Sequence, residues 1–216
     1  MKYSGLMLDF GGVILKTPFE MHRLVEKKLN FKENTLNWYG PFDPKSDLLW
    51  LKMQANKISE QDYWREKSRL IGNLIGKRWN LRDYMTCCYH GFQESNIIRK
   101  EAREAIIKVK ESGLSVGILT NEIEYFHGKE WMDALDILKN VEYLVDGSRT
   151  KVLKPNYRAY QFAIESSGLN ANEIIFIDDQ IRNVNGAKKS RLHALYFDVT
   201  KPAQAFKIAL DLLGVC

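Results

Sequence analysis

No apolar run in this 216-residue chain reaches the roughly 18 residues that a membrane-spanning helix requires. Its first apolar stretch is cut short by Asp9, so neither a signal peptide nor a membrane partner is expected. Cysteine is scarce too: Cys87, Cys88 and Cys216 form an odd set without metal-ligand spacing. The adjacent pair could in principle bridge, but two buried free thiols are the expectation, and they suit a reducing, cytoplasmic setting. Internal repeats and low-complexity tracts are missing as well, which leaves the order of elements as the guide to the fold.

A chain of this length fits one domain, or a core domain that carries a smaller insertion. Folded chains of this size bury roughly 70% of the surface that the unfolded chain exposes, so the core needs no disulfide staple. A composition of 45% hydrophobic and 27% charged residues is that of a soluble globular protein. The net charge of +5 could attract phosphates or nucleic acid. However, the basic doublets Lys27-Lys28, Lys77-Arg78, Arg99-Lys100 and Lys188-Lys189 are scattered and alternate with acids. They are expected to be solvated helix faces, and no nucleic-acid partner is inferred.

Five short apolar segments read as strands: 5–10, 114–119, 141–146, 173–177 and 193–198. Their hydrophobicity is continuous rather than alternating, as in a parallel sheet covered on both faces. Helical spacing of apolar residues runs over 97–112, where Gly113 ends it, and over 201–213, before Gly214. A third helix is predicted over 155–167, with Pro155 at its first position and Tyr160, Phe162, Ala163 and Ile164 turned inward. Strand and helix alternate, which predicts a doubly wound, Rossmann-like α/β core over 1–15 and 96–216. The interval 16–95 has helical periodicity, few strand signals and four of the five tryptophans, Trp38, Trp50, Trp64 and Trp79. It reads as an inserted helical subdomain, with 37–44 as a loop inside it. Its aromatics are expected to be mostly core, with one of Trp38, Tyr39, Trp50 and Trp64 a candidate to reach a ligand.

Ligands of open α/β sheets collect at the carboxyl ends of the strands. There the sequence places Asp9 with Gly11-Gly12, then Thr120-Asn121-Glu122, then Lys154 before Pro155, and finally Asp178-Asp179. Three aspartates, a lysine and a hydroxyl–amide pair thus converge from distant segments.

These motifs, LDFGGVI (8–14), LTN (119–121), KP (154–155) and IDD (177–179), resemble in order and spacing the four motifs of the haloacid dehalogenase-like (HAD) superfamily. The first is similar to that of the subgroup holding the phosphatase domain of epoxide hydrolases and bacterial sugar-phosphate phosphatases. The resemblance implies a Mg²⁺-dependent phosphatase acting on a small phosphorylated metabolite, with 16–95 as a cap that selects substrate. It implies that Asp9 attacks phosphorus to give an aspartyl-phosphate, and that Asp9, the Gly11 carbonyl and Asp178 hold Mg²⁺. Asp179 is either a further ligand or an acid supporting the ligands. Gly11, Gly12, Thr120, Asn121 and Glu122 would line the substrate, with Thr120 and Asn121 bonding the phosphoryl oxygens. Lys154 would neutralise charge, with Lys151 as the fallback. Asn183 would help start the following helix and support the acidic loop.

One departure from the family stands out. Most such phosphatases carry a second aspartate two residues after the nucleophile as general acid and base, and here that residue is Gly11. General acid–base help is worth roughly 10²- to 10⁴-fold, so good leaving groups are expected: sugar-1-phosphates, acyl phosphates or aryl phosphates. Glu20, His22, Glu122 and His127 are conceivable replacements, each with an ordinary structural role as the alternative. Two other functions remain open at this point: a HAD-like binding or regulatory module, and a metal-free 2-haloacid dehalogenase. The chain could act as monomer or homodimer.

Overall fold

The computed structural model describes residues 2–215, so Cys216 lies outside the described residues. Five parallel strands form one sheet: β1 (Gly5–Leu8), β2 (Ser115–Thr120), β3 (Tyr143–Asp146), β4 (Ile174–Asp178) and β5 (His193–Tyr196). Their order in space is β3-β2-β1-β4-β5. The chain therefore steps outward from β1 in one direction and returns to fill the other side, which makes the carboxyl end of β1 and β4 the switch point where such sheets bind ligands. Leu8 is in register with Ile118 and Ile177, so Asp9 and Asp178 each lie one step further along.

All five expected strands are present, and the reason for their continuous hydrophobicity is visible. Met7, Leu119, Val145 and Phe176 pack beneath the Tyr157–Ser167 and Ile181–Lys189 helices through Ala159, Tyr160, Ala163, Val184 and Ala187. Side chains one residue along each strand point to the opposite face, which is covered by the Lys100–Glu111 and Pro202–Leu213 helices. Gly117 in β2 leaves room for the ring of Tyr143, its partner in β3, because a side chain there would start 2.0 Å from that ring.

Two local expectations need correction. Pro155 is not the first helical residue: the helix begins at Tyr157, and Asn156 caps it by accepting from the Arg158 N–H. Phe162 is exposed, because residues two apart on a helix do not share a face, and Ala159, Tyr160 and Ala163 take the inward one.

The chain divides into two compact units, 1–16 with 93–216 and 17–92. Within the first, the segments that lead out and back are paired with each other. Leu15 bridges Ile98 antiparallel, Lys16 N–H donates to Ile97 O and Arg99 N–H to Ile14 O. The second unit contains the helices His22–Lys28, Leu48–Gln54, Glu60–Leu74 and Leu81–Tyr89, the last two opened by capping boxes from Ser59 and Asn80. The expected loop at 37–44 holds a 3₁₀ turn, Gly40–Phe42. Cys87 and Cys88 are free and buried. Among the described residues no helix is long and apolar enough to cross a membrane.

The core of this helical unit is aromatic. Phe19, Trp50, Tyr63 and Trp64 meet mostly edge-on or tilted. A buried ion pair sits among them: Lys67 Nζ is 3.1 Å from Asp47 Oδ1 and lies over the Trp38 and Tyr63 rings at 4.7 and 5.1 Å. The Tyr63 hydroxyl donates to the second Asp47 oxygen. His22 packs against Phe19, Trp38 and Tyr39. Burial, reinforced by the Lys67 charge, pushes its imidazole down to about 4 from the ordinary 6.5.

A pH dependence follows. Above pH 6.5 the ring is neutral in both folded and unfolded chains and nothing is lost. As pH falls from 6.5 towards 4, the unfolded chain takes up a proton that the folded core refuses. Stability then declines by about 3 kcal/mol and levels off below the folded value. Urea midpoints of wild type and His22→Leu at pH 7 and pH 4.5 check this. The loss on acidification is expected to be smaller in the variant; an equal loss in both would contradict the assignment.

Candidate active site

Asp9 follows β1 and is buried, 8% exposed. Its Oδ1 accepts the Phe10 N–H at 2.7 Å and lies 2.9 Å from Lys154 Nζ. Lys154 is brought in by the segment between β3 and the Tyr157–Ser167 helix. Its ammonium also reaches Asp178 Oδ2 at 2.7 Å and the Leu119 carbonyl at 2.9 Å. One lysine thus ties together the ends of β1, β2 and β4. Lys151, the fallback, is exposed and donates to the Ser148 carbonyl.

Asp178 is fully buried, and both of its carboxylate oxygens accept hydrogen bonds. Oδ1 accepts the Gln180 N–H at 2.8 Å, and the Asn183 side-chain amide lies 3.1 Å from both oxygens. Asn183 is in turn anchored through its backbone carbonyl, which accepts the Tyr160 hydroxyl at 2.7 Å. Asp179, half-buried, lies against Gly12. Gly12 has φ +78°, and a side chain there would start 2.5 Å from Asp179 Oδ2. Glycine is required at 12 on both counts. Gly11 differs: it is exposed, its φ is not left-handed, and an added Cβ would meet no atom within 4 Å.

Thr120 ends β2, buried, beside Asp146 in register. The Asn121 side chain is occupied in a way that the sequence did not suggest. Its Oδ1 accepts the Lys154 N–H at 2.7 Å and its Nδ2 donates to the Lys154 carbonyl at 3.3 Å. It therefore positions the lysine. Glu122, half-buried, precedes the short Ile123–His127 helix.

The other candidate acids have local work. Glu20 accepts from both the N–H and the hydroxyl of Thr17, His127 stacks on Trp131 at 4.3 Å, and His22 belongs to the aromatic core of the helical unit. Trp38, Trp50 and Trp64 are buried in that core. Sequence reasoning missed Arg99. Expected on a solvated face, it is 3% exposed, donates from Nε to the Gly12 carbonyl at 2.8 Å and lies over the Phe197 ring.

Electrostatics follow from this crowding. Burial pushes the Asp9 carboxyl up to about 7, aided by the Asp178 charge and opposed by Lys154. Burial also works against charge on Lys154, but the Asp178 and Asp9 carboxylates outweigh it and hold its pKa above the ordinary value. Asp9, Asp178 and Asp179 each offer an oxygen within 4.8 Å of the others. This all-oxygen, strongly anionic donor set fits a hard divalent cation. Asn183 Oδ1, a buried acceptor at the same place, has no donor among the described residues.

The chain belongs to the haloacid dehalogenase-like hydrolases: the family model matches residues 54–196, taking in Thr120, Lys154 and Asp178 and beginning after Asp9. Among curated proteins it is 23% identical over 98% of its length to mouse acyl-CoA dehydrogenase family member 10, and 28% identical over 45% of its length to phosphatase MT3486 of Mycobacterium tuberculosis. The alignments span 19% and 45% of those relatives' own lengths. Among solved structures, the HAD-hydrolase YfnB of Bacillus subtilis, bound to magnesium, has the same fold at a TM-score of 0.73 and 15% identity, with both chains fully covered. L-2-haloacid dehalogenase of Xanthobacter autotrophicus matches at a TM-score of 0.59 and 14% identity, covering 98% of this chain and 83% of the other.

Proposed function

We propose that this hydrolase is a magnesium-dependent phosphatase that cleaves a small phosphorylated metabolite through Asp9. The observation that carries the reading is the Lys154 ammonium between Asp9 and Asp178, beside a third carboxylate. An Asp9 oxygen attacks phosphorus, the bond from phosphorus to the leaving-group oxygen breaks, and an aspartyl-phosphate forms. Water then attacks the same phosphorus and frees Asp9 and inorganic phosphate. Lys154, fixed by Asn121, offsets charge where carboxylate and phosphoryl oxygens crowd. Thr120, the last residue of β2, would bond a phosphoryl oxygen through its hydroxyl. Asp9, Asp178, Asp179 and the Gly11 carbonyl would hold Mg²⁺, which when bound supplies positive charge for the transferring group.

Gly11 offers no proton to the departing oxygen, so the substrate is one whose leaving group departs unaided: a sugar-1-phosphate, an acyl phosphate or an aryl phosphate. The helical unit 17–92, inserted in the chain after the first strand, would supply the selection among such esters. The setting is cytoplasmic, in keeping with two free buried thiols.

The dehalogenase among the fold neighbours favours a second reading, halide displacement from carbon by the same aspartate. Three gathered carboxylates weigh against it, because that displacement needs no divalent ion to offset them. The two are separated by assaying a panel of phosphate esters and 2-chloropropionate, each with Mg²⁺ and with a chelator. Phosphate release that requires Mg²⁺, fastest from aryl and acyl phosphates, is expected. Halide release indifferent to the chelator would replace the proposal, as would glycerol phosphate cleaved as fast as an aryl phosphate for the leaving-group argument.

A further inference from the structure

Arg99 enters the core unit on the return from the helical unit, where its backbone pairs with Ile14. Its side chain then turns inward. Nε–H donates to the Gly12 carbonyl, 87 residues away in sequence, at 2.8 Å, and the guanidinium lies 5.4 Å from the Phe197 ring centre. Both partners are one step from the acidic cluster. Gly12 lies directly against the Asp179 carboxylate. Phe197 donates its N–H to the Asp178 carbonyl at 2.9 Å. A single buried cation therefore braces the turn after Asp9 and the strand end beside Asp178.

We propose that Arg99 is a positioning residue for this cluster: by holding the Gly12 carbonyl it fixes the turn that carries Gly11 and bears on Asp179, and so sets how tightly the carboxylates hold a divalent cation. The inference rests on the metal-dependent reading above. Gly12 has a left-handed backbone that the loop must maintain while three carboxylates repel one another. A charged hydrogen bond to its carbonyl is a strong restraint on the plane of that peptide. Groups that orient ligands without touching the ion typically change metal affinity by about 10- to 100-fold when removed. A guanidinium suits this double task, because it donates a directed hydrogen bond while its charge lies over an aromatic ring.

The test is Mg²⁺ binding measured by calorimetry on the purified whole chain, for wild type, Arg99→Met and Arg99→Lys, with thermal midpoints recorded without the ion. Arg99→Met keeps much of the apolar stem and removes the donor. It is expected to weaken Mg²⁺ binding at least about tenfold, with Arg99→Lys in between, since the charge survives but the in-plane Nε donor is lost. Wild-type affinity in both variants, with only the midpoint lowered, would reduce Arg99 to a structural brace and overturn the proposal. Should Arg99→Met fail to fold, Arg99→Lys alone decides: weakened binding supports the proposal and unchanged binding overturns it. Wild-type protein that binds no Mg²⁺ would instead remove the metal-dependent reading itself.

Discussion

Asp9→Asn is expected to lower turnover by about 10⁴-fold or more, the scale on which enzymes respond to loss of a nucleophile. Asparagine keeps the shape of the side chain but not its charge, and its amide does not attack phosphorus. The fold is expected to survive. Lys154 retains Asp178 at 2.7 Å and the Leu119 carbonyl at 2.9 Å. Burial already disfavours the ionised form of Asp9, so the neutral side chain relieves a charge that the core tolerates poorly, and the thermal midpoint should hold or rise. Steady-state assay beside a melting curve checks both halves. Activity within tenfold of wild type would remove Asp9 from the chemistry; an unfolded variant would show that the carboxylate is needed for the architecture.

Gly11→Asp is expected to act in the opposite direction. The turn accepts a side chain at this position without strain, because its backbone is not left-handed and the space around a Cβ is open. An aspartate there restores the proton donor that most members of the family carry. The benefit should concentrate on substrates whose leaving oxygen needs a proton. Hydrolysis of an alkyl phosphate is expected to rise by about 10²- to 10⁴-fold, whereas an aryl phosphate changes little. Measured kcat/KM for the two esters in wild type and variant gives a ratio of ratios free of active-site concentration. Equal gains on both, or none on the alkyl ester, would show that leaving-group protonation is not what limits this enzyme.

Much of the site was legible in the sequence because strand ends announce themselves. A buried strand is an apolar run, and the first polar residues beyond it sit at the sheet edge, so Asp9, Thr120 and Asp178 could be placed from local pattern alone. Lys154 and Asp178 meet as the motif order implied. What stayed hidden are partnerships that depend on side-chain direction across long sequence separations. Arg99 looked like half of a surface doublet, and nothing local reveals that its guanidinium turns to Gly12. Asn121 and Thr120 form one motif, yet the amide faces the Lys154 backbone. The Asp47–Lys67 pair was equally invisible, because a helix face shows its charges in sequence but not which of them the aromatic core encloses. Phe162 erred the other way: its hydrophobicity suggested burial, and helical phase put it outside.

The covalent step at residue 9 is the centre of the proposed function. Wild-type protein incubated with an aryl phosphate and Mg²⁺ can be quenched in acid and digested, and the peptide bearing Asp9 weighed. A fraction of that peptide heavier by one phosphoryl group, with the added mass located on Asp9 and missing from substrate-free controls, is the predicted result. Turnover that leaves the Asp9 peptide unmodified at every quench time, or a phosphoryl group found on another residue, would contradict it.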